Sequence, residues 1–308
     1  MTDDRCLMTA SNPQSEIHNP QSTDGLLLID KPAAITSHDL VAHLRRLTAI
    51  KRIGHTGTLD PFATGLMLLL FGRATRLSQF FMGLDKEYRV WLRLGEESDT
   101  LDATGRILET KPVDVSAEHL RQILNSFRGE IQQIPPMYSA VKVQGKKLYQ
   151  LARQGKTVER APRLVSIHQL QVLELKLPEL EVLVCCSAGT YVRSLVHDIG
   201  QKLGCGAIVT ALCRTGSGPY RLEQAAPLAE LELKADWKSS LVPMERLLTD
   251  IPFQLVDERD LERVRHGKDL PRTSQLIGGW VRLLGPDEKL IALGKVGEVS
   301  IHPSIVLA

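Results

Sequence analysis

Apolar and polar positions along the chain fall into three patterns. "EYRVWLRLG" alternates, with Tyr88, Val90, Leu92 and Leu94 on one face and Arg89, Trp91 and Arg93 on the other. That period of two predicts a strand with one buried face. "GLLLID" and "GLMLLLFG" are unbroken apolar runs bounded by glycine or Lys31-Pro32, and "LEVLVCCSAG" is similar. Such runs predict buried strands. A period of 3.6 marks the helices. "SAEHLRQILNSFRG" aligns Leu120, Ile123, Leu124 and Phe127, with Ser116 placed to cap its start and Gly129 just past its end. "TYVRSLVHDIGQKLG" aligns Val192, Leu195, Val196, Ile199 and Leu203, with Thr190 as the expected cap. After Lys31-Pro32, Ser37 is the expected cap of a helix carrying Leu40, Val41 and Leu44, and "ATRLSQFFMG" reads as a short helix. Strands and helices alternate irregularly, which predicts an α+β domain and not a doubly wound sheet.

The pattern breaks in three places. Residues 1–24 are polar, with neither a basic start nor an apolar stretch, and read as a disordered tail and not a signal peptide. Residues 134–163 carry Pro135-Pro136, Gly145, Gly155 and few core-type residues. They read as an excursion from the domain with a short helix between Lys147 and Arg153. A boundary is expected at Asp250-Ile251-Pro252. Beyond it, residues 251–308 hold one short helix, "ERDLERVRHG", and a hairpin in "GWVRLLGPDEKLIALGKV", the pattern of a small β-barrel-like appendage.

Composition adds limits. The chain has 308 residues, 43% hydrophobic and 24% charged, within the range of folded water-soluble proteins. Its longest apolar run, Leu66 to Phe71, is far short of the ~18 residues that span a bilayer. A cytoplasmic location without membrane contact is expected. The 5 cysteines lack CxxC spacing, so neither a disulfide framework nor a zinc site is expected. Net charge is only +2, but its distribution is uneven. Lys142, Lys146, Lys147, Arg153, Lys156, Arg160 and Arg163 are opposed within their segment by Glu159 alone. That asymmetry points to a polyanion contact.

The chemistry concentrates in "RIGHTGTLDPFATG", residues 52–65. Gly54, Gly57 and Gly65 would suit a phosphate loop, but Asp60 at its centre would repel phosphate. Pro61 holds Asp60 out of the helical region, in extended backbone ahead of a buried strand. Arg193 falls in the first turn of its helix, where a cation opposes the helix dipole, and off the apolar stripe. An arginine so placed calls for a carboxylate or phosphate partner. Tyr88 lies on the apolar face of its strand, as core or as a ring covering a base. "SDTLDATG", with Asp99 and Asp102, lacks the spacing of a calcium loop and reads as a turn. No P-loop, HExxH or GxSxG motif occurs.

Taken together, "GLLLIDKP", "GHTGTLDPFATGLMLL", "GRATRLSQF", "DKEYRVWLRLG", "DTLDATG", "FRGEIQQIPPMYSAVKVQGKKLYQLARQG", "CSAGTYVRSLVHDIG" and "LGCGAIVTALCRT" resemble, in order, the TruB family of bacterial tRNA pseudouridine synthases. The resemblance runs from Gly25 to Arg221 and continues more weakly into a PUA-like C-terminal domain. It implies a pseudouridine synthase fold: a mixed, largely antiparallel sheet with flanking helices over residues 25–250 and a thumb insertion at about 134–163. It implies isomerisation of the tRNA T-loop uridine, position 55, to pseudouridine, with no cofactor and no metal. By the same resemblance Asp60 is the essential carboxylate, Arg193 its partner and Tyr88 the ring that stacks on the base. His55 contacts RNA beside the flipped nucleotide, Leu212 lines the pocket, and Arg76 stands where many relatives have lysine. Lys142, Lys146, Lys147, Arg153, Lys156 and Arg160 are expected on the RNA backbone, in a thumb that orders on RNA.

The T-loop uridine must be flipped out to react, at a cost of a few kcal/mol. Asp60 then adds to C6 of the base, attacks C1′ of the ribose, or removes the 2′ proton. All three need a carboxylate beside the nucleotide. Three other readings compete: an RNA-binding, tRNA-folding chaperone with secondary catalysis, an aspartate-nucleophile hydrolase, and a synthase acting within an RNA-guided complex. Asp60, Tyr88 and Arg193 together favour the enzyme, and no phosphate site or metal carboxylates accompany Asp60. A standalone monomer acting on the tRNA T-arm, with no obligatory protein partner, is expected.

Overall fold

A computed structural model describes residues 23–143, 145–234, 236–273 and 276–307. The expected disordered tail therefore lies, apart from Thr23 and Asp24, outside the described residues, as does Cys6. Asp24 itself is held by Arg73, whose Nε donates to Asp24 Oδ2 at 2.6 Å.

The principal elements of the larger part are β1 (Gly25–Lys31), α1 (Ser37–Thr48), β2 (Thr64–Phe71), β3 (Lys86–Leu94), α2 (Ala117–Asn125), β4 (Gly129–Gln133), β5 (Arg163–Lys176), β6 (Glu179–Cys186), α3 (Val192–Leu203) and β7 (Ala207–Ser217). Their strands hydrogen-bond in the order β1-β2-β7-β3-β6-β5-β4, with short strands added beside β1, β2 and β7. Neighbours along this path are antiparallel except β2 and β7, which run parallel over two pairs, Thr64 with Cys213 and Gly65 with Arg214.

The two apolar patterns in the sequence have a direct cause. In β1 and β2 both faces are covered. Leu27, Ile29, Met67, Leu69 and Phe71 join the core beneath the helices, while Leu26, Leu28, Leu66, Leu68 and Leu70 join a second core with Leu284, Leu290, Leu293 and Leu307. A strand buried on both faces has no polar position to alternate with. In β3 only the face carrying Tyr88, Val90, Leu92 and Leu94 enters the core, and Arg89 between them is exposed.

The second sheet takes β8 (Phe253–Leu255), α4 (Glu258–Arg265), β9 (Leu270–Pro271), β10 (Trp280–Leu284), β11 (Leu290–Val296) and β12 (Ser300–Val306). Its strand order is β8-β10-β11-β12-β9, and Val264 of α4 packs into its own small core with Val281, Leu283, Ala292 and Ile301. This is the PUA-like half-barrel. Leu284, Leu290 and Leu293 tie it to the back of β1 and β2.

Two expected caps are corrected. Thr36, not Ser37, caps α1. It accepts from Asp39 N in a reciprocal capping box, while the Ser37 hydroxyl turns inward to Leu59. Tyr191, not Thr190, is the N-cap of α3, and no side chain of its own caps the helix. Thr190 Oγ1 instead donates back to Ser187 O at 2.9 Å. Residues 134–163 hold a short helix, Leu148–Ala152, whose Leu148 and Leu151 are buried.

Candidate active site

The loop bearing Asp60 is pinned at nearly every step. Thr56 N donates to Leu68 O at 3.1 Å, and the Ser37 hydroxyl bonds both backbone groups of Leu59 at 2.9 and 3.2 Å. Pro61 O accepts from Ala34 N at 2.8 Å, and Ala63 N closes a turn on Asp60 O at 3.1 Å. Lys31, wholly buried, donates from Nζ to Pro32 O, Ile35 O and Pro61 O at 2.8, 2.9 and 3.4 Å. Burial pushes the Lys31 ammonium down to about 8, against the favourable field of Asp60. The carboxylate therefore stands on a rigid shelf immediately before β2, with its side chain 32% exposed.

Arg193 meets it from the first turn of α3. Its side chain is 4% exposed. Nε donates to Asp60 Oδ2 at 2.8 Å and Nη2 to Asp60 Oδ1 at 2.9 Å, a bidentate fork. Nη2 also donates to Tyr138 O at 2.8 Å and Nη1 to Thr100 O at 2.7 Å. Nη1 lies 3.6 Å from Asp102 Oδ2. Four of the five guanidinium N–H groups thus have hydrogen-bond acceptors, and Asp102 lies in ion-pair range of the remaining one. The dipole cost of a cation at a helix start is offset by two carboxylates.

Asp102 is the residue that sequence reasoning missed. The turn is present, but its aspartate is buried and accepts from Thr100 Oγ1, Thr104 N and Thr104 Oγ1 at 2.8, 3.0 and 2.5 Å. Hydroxyls two positions either side of an aspartate were its only mark in the chain. Gln133 was missed as well. Its carboxamide accepts from Tyr191 N at 2.7 Å and donates to Tyr191 O at 3.0 Å, replacing the absent cap of α3.

Tyr88 is buried on β3 directly across from Arg214 of β7, and the next pair on that face is Val90 with Leu212. Leu212 is 6% exposed, a wall beside Tyr88. Burial raises the Tyr88 phenol above its ordinary value, against the lowering field of Arg214. His55 sits at the start of the loop with a buried Nδ1 that has no partner among the described residues. Burial first, then the charge of Arg214, lower its pKa and favour neutral imidazole.

Two expected RNA contacts are otherwise engaged. Arg76 follows β2, at the opposite end of that strand from Asp60, and donates from Nη1 to Val306 O of the second sheet. Arg160 is half-buried and donates to Pro135 O at 3.0 Å, bracing the base of the 134–163 segment. Lys142, Lys146, Arg153 and Lys156 are exposed, and nothing is described of the Lys147 side chain. Among the described residues no cluster of His, Cys, Asp and Glu could hold a metal, and no helix is long and apolar enough to cross a membrane.

The family profile described as TruB family pseudouridylate synthase (N terminal domain) matches residues 45–192, and that of the tRNA pseudouridylate synthase B C-terminal domain matches residues 193–249. The chain belongs to the TruB family. Relatives agree. It is 42% identical over 291 residues to a protein of Burkholderia pseudomallei named tRNA pseudouridine synthase B, covering 92% of this chain and 96% of that one. A Ralstonia nicotianae protein of the same name is 43% identical over 277 residues, covering 88% and 86%. Among solved structures, a chain of a Cbf5-Nop10-Gar1 complex superposes with a TM-score of 0.71 at 27% identity, covering 93% of this chain and 85% of that chain. The segment matched as the TruB C-terminal domain supplies β7, the strand between β2 and β3, and so belongs to the large sheet.

Proposed function

We propose that this TruB-family enzyme isomerises uridine 55 in the T-loop of tRNA to pseudouridine, with the base flipped out and Asp60 as the catalytic carboxylate. The bidentate Asp60–Arg193 pair carries the reading: a partly exposed carboxylate fixed by a buried guanidinium. Its relatives named tRNA pseudouridine synthase B support tRNA as the substrate. A protein of this assignment comprises a catalytic unit at 25–250, with its thumb at about 134–163, and a PUA-like unit at 251–308. It acts on the T-arm as a monomer.

Moving the glycosidic bond from N1 to C5 requires cleavage, rotation of the base and rejoining without escape. Arg193 holds both Asp60 oxygens in one plane, so the carboxylate is oriented before the nucleotide arrives. The edge facing the pocket is then available for addition to C6, attack at C1′ or removal of the 2′ proton. Tyr88 and Leu212 close the pocket on two sides and keep the detached base over C1′. His55, favoured neutral, offers hydrogen bonds to the flipped nucleotide without adding charge beside Asp60. Exposed Lys142, Lys146, Arg153 and Lys156 supply the cationic surface for the tRNA backbone.

The test is tritium release from a tRNA transcript labelled at uridine C5. One equivalent is expected from the wild type, none from Asp60→Asn, and none when the T-loop uridine is replaced. Release by Asp60→Asn at the wild-type rate sinks the catalytic assignment. Tight tRNA binding without release by the wild type favours the chaperone reading.

A further inference from the structure

Arg214 is a buried cation that the chemistry above leaves unused. It is 3% exposed, and among the described residues no carboxylate lies within ion-pair distance of it. The buried lysines nearby can shed their protons, since burial brings both Lys31 and Lys86 down to about 8. A guanidinium cannot, so Arg214 carries its full charge in the interior. Such a charge is costly to bury unless its donors are used.

Its donors reach to the active-site loop. Nε donates to Leu66 O at 2.6 Å, and Nη2 faces Met67 Sδ at 3.0 Å and Gly57 O at 3.3 Å. Nη1 lies 3.3 Å from where a side chain on Gly57 would begin. Gly57 precedes Asp60 by three residues. The backbone of Arg214 presses so closely on Gly65 (φ +100°) that no other residue fits there. Across the sheet its direct neighbour on the same face is Tyr88, close enough for the guanidinium charge to act on the phenol. A guanidinium only donates. Toward such a neighbour the hydroxyl can act only through its oxygen, which leaves its hydrogen free to point away from Arg214.

The geometry points to Arg214 as the positioning residue that fixes the Tyr88 hydroxyl as a hydrogen-bond donor toward the nucleotide base and ties that ring to the loop carrying Asp60. This deepens the proposed isomerisation and rests on it: a base that must turn within its pocket needs a fixed polar contact as well as an apolar wall. Among the described residues the charge has no carboxylate partner, and its hydrogen bonds go to backbone carbonyls and one sulfur.

A double-mutant cycle separates positioning through Tyr88 from mere support of β2. Arg214→Lys and Arg214→Gln are each made in the wild type and in Tyr88→Phe, and single-turnover tritium release is measured at saturating tRNA. In the wild-type background each substitution is expected to slow the chemical step by at least about tenfold, with tRNA affinity within about threefold. In Tyr88→Phe, where no hydroxyl remains to be fixed, the same substitutions should change the rate by less than about threefold. Equal losses in both backgrounds overturn the inference, as does failure of both variants to fold, since either assigns Arg214 to the scaffold alone. Failure of the isomerisation reading is distinct: it appears as no release from the wild type, or as release by Asp60→Asn at the wild-type rate.

Discussion

Arg193→Lys keeps the charge beside Asp60 and removes only the fork. The guanidinium places Nε and Nη2 on the two carboxylate oxygens at 2.8 and 2.9 Å, while its other N–H groups reach Thr100 O, Tyr138 O and Asp102. An ammonium has three donors at one point and cannot span both oxygens in plane. At least one charge-assisted hydrogen bond to Asp60 is lost, worth ~1.5–3 kcal/mol. If that bond orients the carboxylate in the transition state, the rate of the chemical step falls by roughly tenfold to 150-fold. The shorter side chain also strands Thr100 O or Tyr138 O, at ~1–3 kcal/mol for each buried carbonyl left unpaired. The melting temperature should therefore drop by several degrees. Single-turnover tritium release at saturating tRNA reads the first effect and a thermal melt reads the second. A folded Arg193→Lys enzyme with a rate within threefold of wild type would refute the reasoning, and the contacts at Leu59 and Pro61 would then suffice to aim Asp60.

Asp102→Asn keeps the acceptor for Thr104 N but removes the charge 3.6 Å from Arg193; the single-turnover rate should fall about tenfold with tRNA affinity unchanged, and a wild-type rate would show that Asp60 alone balances the arginine. Lys31 should make stability rise with pH. Its folded value of about 8 lies below the ordinary 10.5, so between these values the unfolded chain binds the extra proton, and folding is favoured as pH increases. Lys86 adds the same trend, while the Cys186 thiol, pushed up from 9.0 to about 12, opposes it above pH 9. Urea unfolding between pH 8 and 9 should show the rise, and Lys31→Met should flatten it; an unchanged slope would count against a lysine that loses its proton in the fold. Lys156→Ala should weaken tRNA binding and reduce the slope of log K against log salt by about 0.7–0.9 if it meets one phosphate, leaving the saturated rate unchanged; an identical slope would remove Lys156 from the RNA surface.

What was legible in the sequence followed from how evenly each strand is covered. β3 announces itself because one face is open, so its polar residues keep the period of two. β1 and β2 announce themselves because both faces are shut. β5 and β7 give no such pattern, although they are long. The register of β5 slips between Ile167 and Gln169 and again between Val172 and Glu174, and that of β7 slips at Val209/Ala211 and Arg214/Gly216. Each bulge shifts the later residues to the other parity, so a strict alternation cannot be read through it. That is why Arg214 escapes notice: its place on the Tyr88 face is visible only once the register with β3 is known.

The site follows the same logic. Asp60 and Arg193 each looked out of place alone, an acid in a glycine loop and a cation at a helix start, and they are 133 residues apart. Each anomaly is the other's explanation once the sheet brings β2 and α3 together. Asp102, Gln133 and Tyr138 carry no such mark, because two of them act on backbone or through it. Gln133 bonds the N and O of Tyr191, and Tyr138 offers only its carbonyl. Any residue can present a carbonyl, so its identity leaves no trace there. The 134–163 segment thus reaches Arg193 by a backbone contact while Lys142, Lys146, Arg153 and Lys156 are exposed. Nη2 of Arg193 bonds Tyr138 O and Asp60 Oδ1 with the same nitrogen, so a displacement of Tyr138 changes the hydrogen bonding that orients Asp60.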